Sequence, residues 1–219
     1  MIQKELKRPR GRPRAYDPET ALTRATERFW RGGYSATSLD QLGDATGMNR
    51  PSLYGAFGDK RALYLATLER YRQQSVAGIE QALDYELPVA QALRRFYEGA
   101  LSMYLPEHGP PRGCFLIGTA TTEAVEDPQI RAKLGDALRE FESLLEARLR
   151  HARKQGELDA KADTAALASI ASAVLHTLAI RSRAGDSRAS LRRIVDSAIG
   201  LICGAGSAKN ARRRKARRK

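Results

Sequence analysis

Apolar residues recur along this chain at intervals of three and four, the spacing of amphipathic helices. Asp17 with Pro18 behind it predicts the start of the first helix, whose inward stripe is Leu22, Ala25, Phe29 and Trp30 and whose stop is Gly32-Gly33. Leu39, Leu42 and Ala45 form a short second stripe. Residues 60–83 carry Leu63, Tyr64, Leu68, Tyr71, Ile79 and Leu83 on one face. Pro88 begins another helix with Leu93, Phe96, Ala100 and Met103 inward, ended near Pro106 and Gly109-Pro110-Pro111. Residues 113–125 predict a short apolar helix. Asp127-Pro128 launches a long one to about Gln155, with Ile130, Leu134, Ala137, Leu138, Phe141, Leu144, Leu145 and Leu149 facing in, before Gly156 breaks it. Two more helices, about 162–183 and 188–203, are separated by Ala184-Gly185-Asp186. No strand alternation and no repeat is present. The fold class is all-α, with about nine helices.

The densest signals lie in residues 37–60. Ser38 and Gln41 have capping-box spacing, so a helix starts at Leu39. Gly47 sits where the chain must turn sharply. Asn49 can cap the next helix, with Arg50 and Pro51 in its first turn, and Asp59 a third beginning at Lys60. This is the layout of a helix-turn-helix, which carries a short helix to the DNA major groove. The plain alternative is a helical hairpin in a core, against which stand the three caps and the outward Arg50 and Ser52.

The same run resembles the DNA-binding domain of the TetR family of bacterial repressors. The matching residues are Thr37, Ser38, Leu39, Leu42, Gly47, Met48, Asn49, Leu53, Tyr54, Phe57 and Lys60. Gly43 and Thr46 stand where alanine is usual, which predicts slightly looser packing. The resemblance is specific over residues 15–70 and architectural beyond. It implies an N-terminal three-helix DNA-binding domain followed by a larger helical effector-binding and dimerisation domain.

Charge sharpens the division. The net charge of +13 resides in two tails. Residues 1–14 carry a net +5 and residues 209–219 a net +8, leaving the body formally neutral. The expected organisation is therefore a basic arm, 1–14; a helix-turn-helix domain, 15–59; a helical domain, 60–206; and a basic tail, 207–219. Such tails strengthen salt-sensitive, sequence-independent DNA binding, or serve solubility alone. Within the arm, Arg10-Gly11-Arg12-Pro13 matches the core of an AT-hook, which lays arginines in a narrow minor groove. A nonspecific basic leader is the alternative.

On the second helix of the motif, Arg50 is the leading base reader, because a guanidinium bridges O6 and N7 of guanine. Asn49 and Ser52 are weaker candidates that cap or touch phosphate. The resemblance implies that Thr37 or Ser38, Tyr54 and Lys60 face the phosphate backbone. Tyr54 also reads as a core aromatic beside Phe57. The family also implies that the last two helices form a four-helix bundle with a second copy. Ala166, Ser169, Ile170, Ala173, Val174 and Thr177 suit the first of these, and Leu191, Ile194, Val195, Ala198, Ile199 and Ile202 the second, unless the pair is internal core. A homodimer also matches a two-fold operator.

In the family the larger domain encloses an effector pocket. Tyr71, Phe96, Met103, Tyr104, Phe115 and His176 are candidate lining residues, suited to an apolar or aromatic ligand, though each also reads as core. Cys114 opens a predicted helix beside Arg112, where a helix dipole and a cation favour thiolate. Its surroundings resemble a TetR branch in which some members sense electrophiles or oxidants; a small buried residue is the alternative. Cys203 reads as packing.

Two cysteines without metal spacing fit a reducing cytoplasm, and no signal-like segment is seen. Thr164–Ile180, apolar or small except for His176, is short for a membrane span and reads as a buried interface helix. The three histidines lack metal-ligand spacing and no phosphate loop or nucleophile elbow occurs, so neither enzyme nor cofactor is expected. The expected function is a cytoplasmic, nucleoid-associated repressor that binds double-stranded operator DNA as a homodimer and is released by a small-molecule or oxidant effector, with no membrane partner. An architectural DNA binder with little sequence preference is the alternative.

Overall fold

A computed structural model describes residues 17–204, and among these every regular element is helical. Helices α1 (Pro18–Gly32), α2 (Leu39–Thr46) and α3 (Arg50–Phe57) form the N-terminal unit. They are followed by α4 (Lys60–Ala82) and α5 (Val89–Tyr104). A π-helical turn, Leu116–Ala120, runs into a single α-turn, α6 (Thr121–Glu123); then come α7 (Pro128–Lys154), α8 (Thr164–Arg183) and α9 (Arg188–Cys203). The basic tails, with Arg10 and Arg12, lie outside the described residues.

Short polar side chains set the helix starts. Asp17, Ser38, Asn49, Asp59, Asp127, Asp163 and Ser187 each accept a backbone N–H of the helix they precede, satisfying donors left open by the first turn. The stripe of α1 matches expectation except at its first member, where Ala21 takes the place of Leu22. Ala21, Ala25, Phe29 and Trp30 are buried and Leu22 only half-buried.

One continuous core runs from α1 to α9. α1 lies across α2 and α4, while α7 packs on α8 and α8 on α9. Burial of side chains such as Phe29, Tyr64 and Phe115, all fully enclosed, stabilises the junction of the two units by about 1.5–3 kcal/mol each. The short helix expected over 113–125 is present from Phe115 to Glu123, with its middle, Leu116–Ala120, wound as the π-turn. Inside that turn Thr119 donates its hydroxyl to the Phe115 carbonyl at 2.8 Å and contacts the Tyr64 hydroxyl at 2.7 Å. The Thr119 hydroxyl thus serves a carbonyl inside the turn and ties the turn to α4.

Arg148, on α7, is wholly buried. Its guanidinium donates to the carbonyls of Asp84 and Leu87 and so ties down the connection between α4 and α5. Glu157 accepts the Val89 N–H, fixing the start of α5 from the same side.

Candidate DNA interface and ligand chamber

The helix-turn-helix is held by complementary caps. The Ser38 N–H donates to Gln41 Oε1 at 3.0 Å and the Gln41 N–H to Ser38 Oγ at 3.2 Å. Gly47 adopts φ 71° and ψ 23°, the left-handed conformation that side chains other than glycine's resist. The looser packing expected at Gly43 is not found. A β carbon there would lie 2.9 Å from the Met48 carbonyl oxygen, so glycine allows the turn to close tightly on α2. Thr46 is also buried, its hydroxyl bonded to the Leu42 carbonyl at 2.7 Å.

Leu53 anchors α3 in the core while Arg50 and Tyr54 are exposed and Ser52 is half-buried. Tyr54, 47% exposed, is thus no core aromatic. Asn49 Oδ1 accepts the Ser52 N–H at 2.9 Å and serves as the cap. Arg50 is not idle: its Nε and Nη2 donate to Asp40 on α2, at 2.9 and 2.8 Å. Thr37 departs from expectation. It is buried and its hydroxyl donates to the Gly33 carbonyl at 2.6 Å, so it presents no hydroxyl at the surface. Ser38 beside it is exposed. Lys60 is half-buried, with Nζ 4.4 Å above the Tyr34 ring centroid and 3.5 Å from the Ser35 carbonyl oxygen; desolvation lowers its pKa.

A chamber of about 540 Å³ lies between α4, α5, the π-turn, α7 and α8. Tyr71, Phe96, Met103, Tyr104, Cys114 and His176 all line it. Phe115 does not, because it is enclosed in an aromatic cluster with Trp30, Tyr64 and Tyr71. Trp30, Arg112, Phe141 and Leu175, which the sequence did not single out, complete the wall. Their helical stripes mark them as inward but not which inward residues leave a gap.

Cys114 differs from the expected activated thiol. Burial pushes its pKa up, with hydrogen bonds only partly opposing. Its polar neighbour is the Tyr71 hydroxyl, 3.4 Å from Sγ, while Arg112 is engaged elsewhere. Burial likewise raises Cys203, to about 11. His176 is held toward its neutral form by burial, against the opposing field of Glu142. Its Nε2 is sealed from solvent without a hydrogen-bond partner among the described residues.

Chamber and helix-turn-helix meet at one point. Trp30 belongs to α1, and its Nε1 donates to the Arg112 carbonyl at 3.1 Å. The Arg112 guanidinium lies 4.1 Å over the Trp30 ring, donates to the Met103 carbonyl, and pairs with Glu27 of α1 at 2.9 Å. A second tie joins Arg61, at the start of α4, to the Asp127 cap of α7, and holds that carboxyl well below the usual range. Ser35 donates to Glu123 at 2.7 Å.

On α8 the stripe Ala166, Ser169, Ile170, Ala173 and Thr177 is exposed, with Val174 half-buried. On α9 the expected pairing stripe is mostly turned inward: Leu191, Val195, Ala198, Ile199 and Ile202 are buried in this chain's own core. The outward apolar residues there are half-buried Ile194 and Leu201, the latter 79% exposed.

Comparison with known proteins agrees with this architecture. Residues 21–67 match the profile of bacterial regulatory proteins of the tetR family, and residues 89–198 that of the tetracyclin repressor-like C-terminal domain. The HTH-type transcriptional repressor ComR of Escherichia coli (strain K12) is 31% identical over 196 residues, 90% of this chain and 93% of that protein. BdcR, another HTH-type transcriptional repressor of that strain, is 32% identical over 60% of this chain and 64% of its own length. Among solved structures, a cysteine mutant of the TetR family regulator CifR, complexed with 26-base-pair double-strand operator DNA, superposes with a TM-score of 0.74. It is 32% identical, covering 86% of this chain and 98% of that one. With a capped helix-turn-helix, a helical body and relatives matched over nearly their whole length, the chain belongs to the TetR family and is a DNA-binding regulator of transcription.

Proposed function

We propose that the protein is a homodimeric repressor that binds a two-fold symmetric operator through α3 and leaves it when a small molecule fills the chamber. Trp30 carries this reading, because one side chain walls the chamber while its helix packs on the helix-turn-helix. A ligand that displaces Trp30 or Arg112 acts directly on α1. It releases DNA by preferring the DNA-incompetent arrangement, typically by about 1–3 kcal/mol.

In this reading Arg50 reads a guanine edge, helped by Asn49 and Ser52, and Ser38, Tyr54 and Lys60 contact phosphates. Arg10 and Arg12 follow the adjacent minor groove. The exposed apolar residues Ile170, Ile180 and Leu201 of α8 and α9 support a second copy as their cover. CifR, bound to operator DNA in its solved structure, supports the DNA role. The raised thiol of Cys114 favours reversible occupancy of the chamber over cysteine modification as the release signal.

The test selects bound sequences from a random DNA pool, then screens for compounds that free the selected site by fluorescence anisotropy. A palindromic site bound by a dimer and released by a chamber ligand is expected. A monomer that selects no palindrome would overturn the reading.

A further inference from the structure

The exposed residues that line the chamber are Gln74, Gly78, Gln81, Arg95 and Gly99. All five belong to α4 or α5, whereas the π-turn, α7 and α8 present only buried or half-buried side chains to it. The mouth therefore opens between α4 and α5.

Two residues of that rim are mid-helix glycines. Neither has the positive φ that calls for glycine, and glycine weakens a helix interior relative to alanine. A β carbon on either would meet nothing within 4 Å, so close packing does not require glycine either. What the pair supplies is a missing side chain on each of the two helices beside the mouth.

The chamber behind is largely apolar; Gln74, Ser75, Gln81 and Arg95 bring polar groups to it from α4 and α5, and Tyr71 and Tyr104 add hydroxyls inside. Among the described residues no carboxylate lines it. A cation stripped of water there finds no counter-charge. An uncharged or acidic molecule meets the amide donors of Gln74 and Gln81 and the guanidinium of Arg95 at the rim, and the Tyr71 and Tyr104 hydroxyls inside.

We propose that ligands reach the chamber sideways, through a portal between α4 and α5 kept open by Gly78 and Gly99. The portal admits flat, mainly apolar molecules that are uncharged or acidic, and cations are excluded. This rests on the reading of the chamber as an effector site, but it can be tested without DNA.

The probes are 8-anilinonaphthalene-1-sulfonate, an aromatic anion, and auramine O, an aromatic cation, mixed with the full chain in stopped-flow fluorescence. The anion should bind, and Ala100→Trp, which fills the chamber, should abolish its signal. Gly78→Leu with Gly99→Leu should slow both association and dissociation at least about tenfold while Kd stays within about threefold. Auramine O should bind at least about tenfold more weakly than the anion. Circular dichroism checks that each variant keeps its helices. Unchanged rates in the folded double-leucine variant, anion binding that survives Ala100→Trp, or a cation bound as tightly as the anion would overturn the proposal. A screen in which no compound that loads through the portal frees the selected operator DNA would sink the effector reading and leave the portal standing.

Discussion

Replacing Asp40 with asparagine should tighten operator binding, because Arg50 reaches a base only by leaving Asp40. In the free protein the guanidinium is held by two hydrogen bonds to that carboxylate, and both side chains are more than half exposed, at 57% and 70%. Exposed pairs of this kind are worth about 0.2–1 kcal/mol. A dimer gives up two of them on binding, about 0.4–2 kcal/mol, so their removal should strengthen operator binding roughly two- to thirtyfold. Removing a carboxylate near phosphates adds a gain on any DNA, and a double-mutant cycle separates the two effects. Arg50→Ala alone should cost about 1–3 kcal/mol and relax preference at one base pair. In that background Asp40→Asn should retain only its gain on random DNA. Titrations by fluorescence anisotropy, on selected and random duplexes at one salt concentration, measure all four corners. If Asp40→Asn leaves operator affinity unchanged, or helps equally with and without Arg50, the carboxylate does not restrain the reader.

Other substitutions probe the frame around the sites. Arg148→Ala should destabilise the fold by about 2–4 kcal/mol in urea unfolding, since it strands the carbonyls of Asp84 and Leu87 and empties a buried volume. Gly43→Ala should lower thermal stability by about 1–2 kcal/mol, its new methyl pressed against the Met48 carbonyl, whereas Gly78→Ala, with open space around it, should raise stability by about 0.5–1 kcal/mol. Glu69, bonded to Arg72 and Lys133, has its pKa lowered from the ordinary 4.5 to about 2. Its contribution is therefore complete above about pH 4.5 and lost as pH falls toward 2, and Glu69→Gln should flatten that part of the acid-unfolding curve. Cys114 should react with iodoacetamide at pH 7 far more slowly in the native protein than after denaturation; equal rates would contradict the raised thiol pKa.

Local chemistry made most of the fold legible. Caps such as Ser38, Asn49, Asp59 and Asp127 work through bonds to residues two or three positions on, so sequence alone locates the helix starts they fix. The π-turn was not legible, because its hydroxyl partners come from α4 and its approach is set by Gly113. A β carbon at Gly113 would come within 2.6 Å of the Ala179 carbonyl on α8. Periodicity grouped the residues of α9 into a stripe but did not say whether its own chain or a second copy covers it. Five of the six candidate lining residues reached the chamber because they share inward faces, and Cys114 joins them from the stretch before the π-turn. The pairing of Arg50 with Asp40 depends on the angle between α2 and α3, which residue spacing does not encode.

The indole of Trp30 has no insulating layer on either side: it is at once chamber wall and part of α1, the helix that packs on the helix-turn-helix. In the proposed reading, retuning the regulator to a new inducer by mutating Trp30 or Arg112 would therefore shift basal promoter occupancy together with inducer preference. Leu138, Phe141 and Leu175 line the same chamber from α7 and α8, away from that junction. Directed evolution of a biosensor from this scaffold should start with those three, where selectivity can drift without resetting the off state.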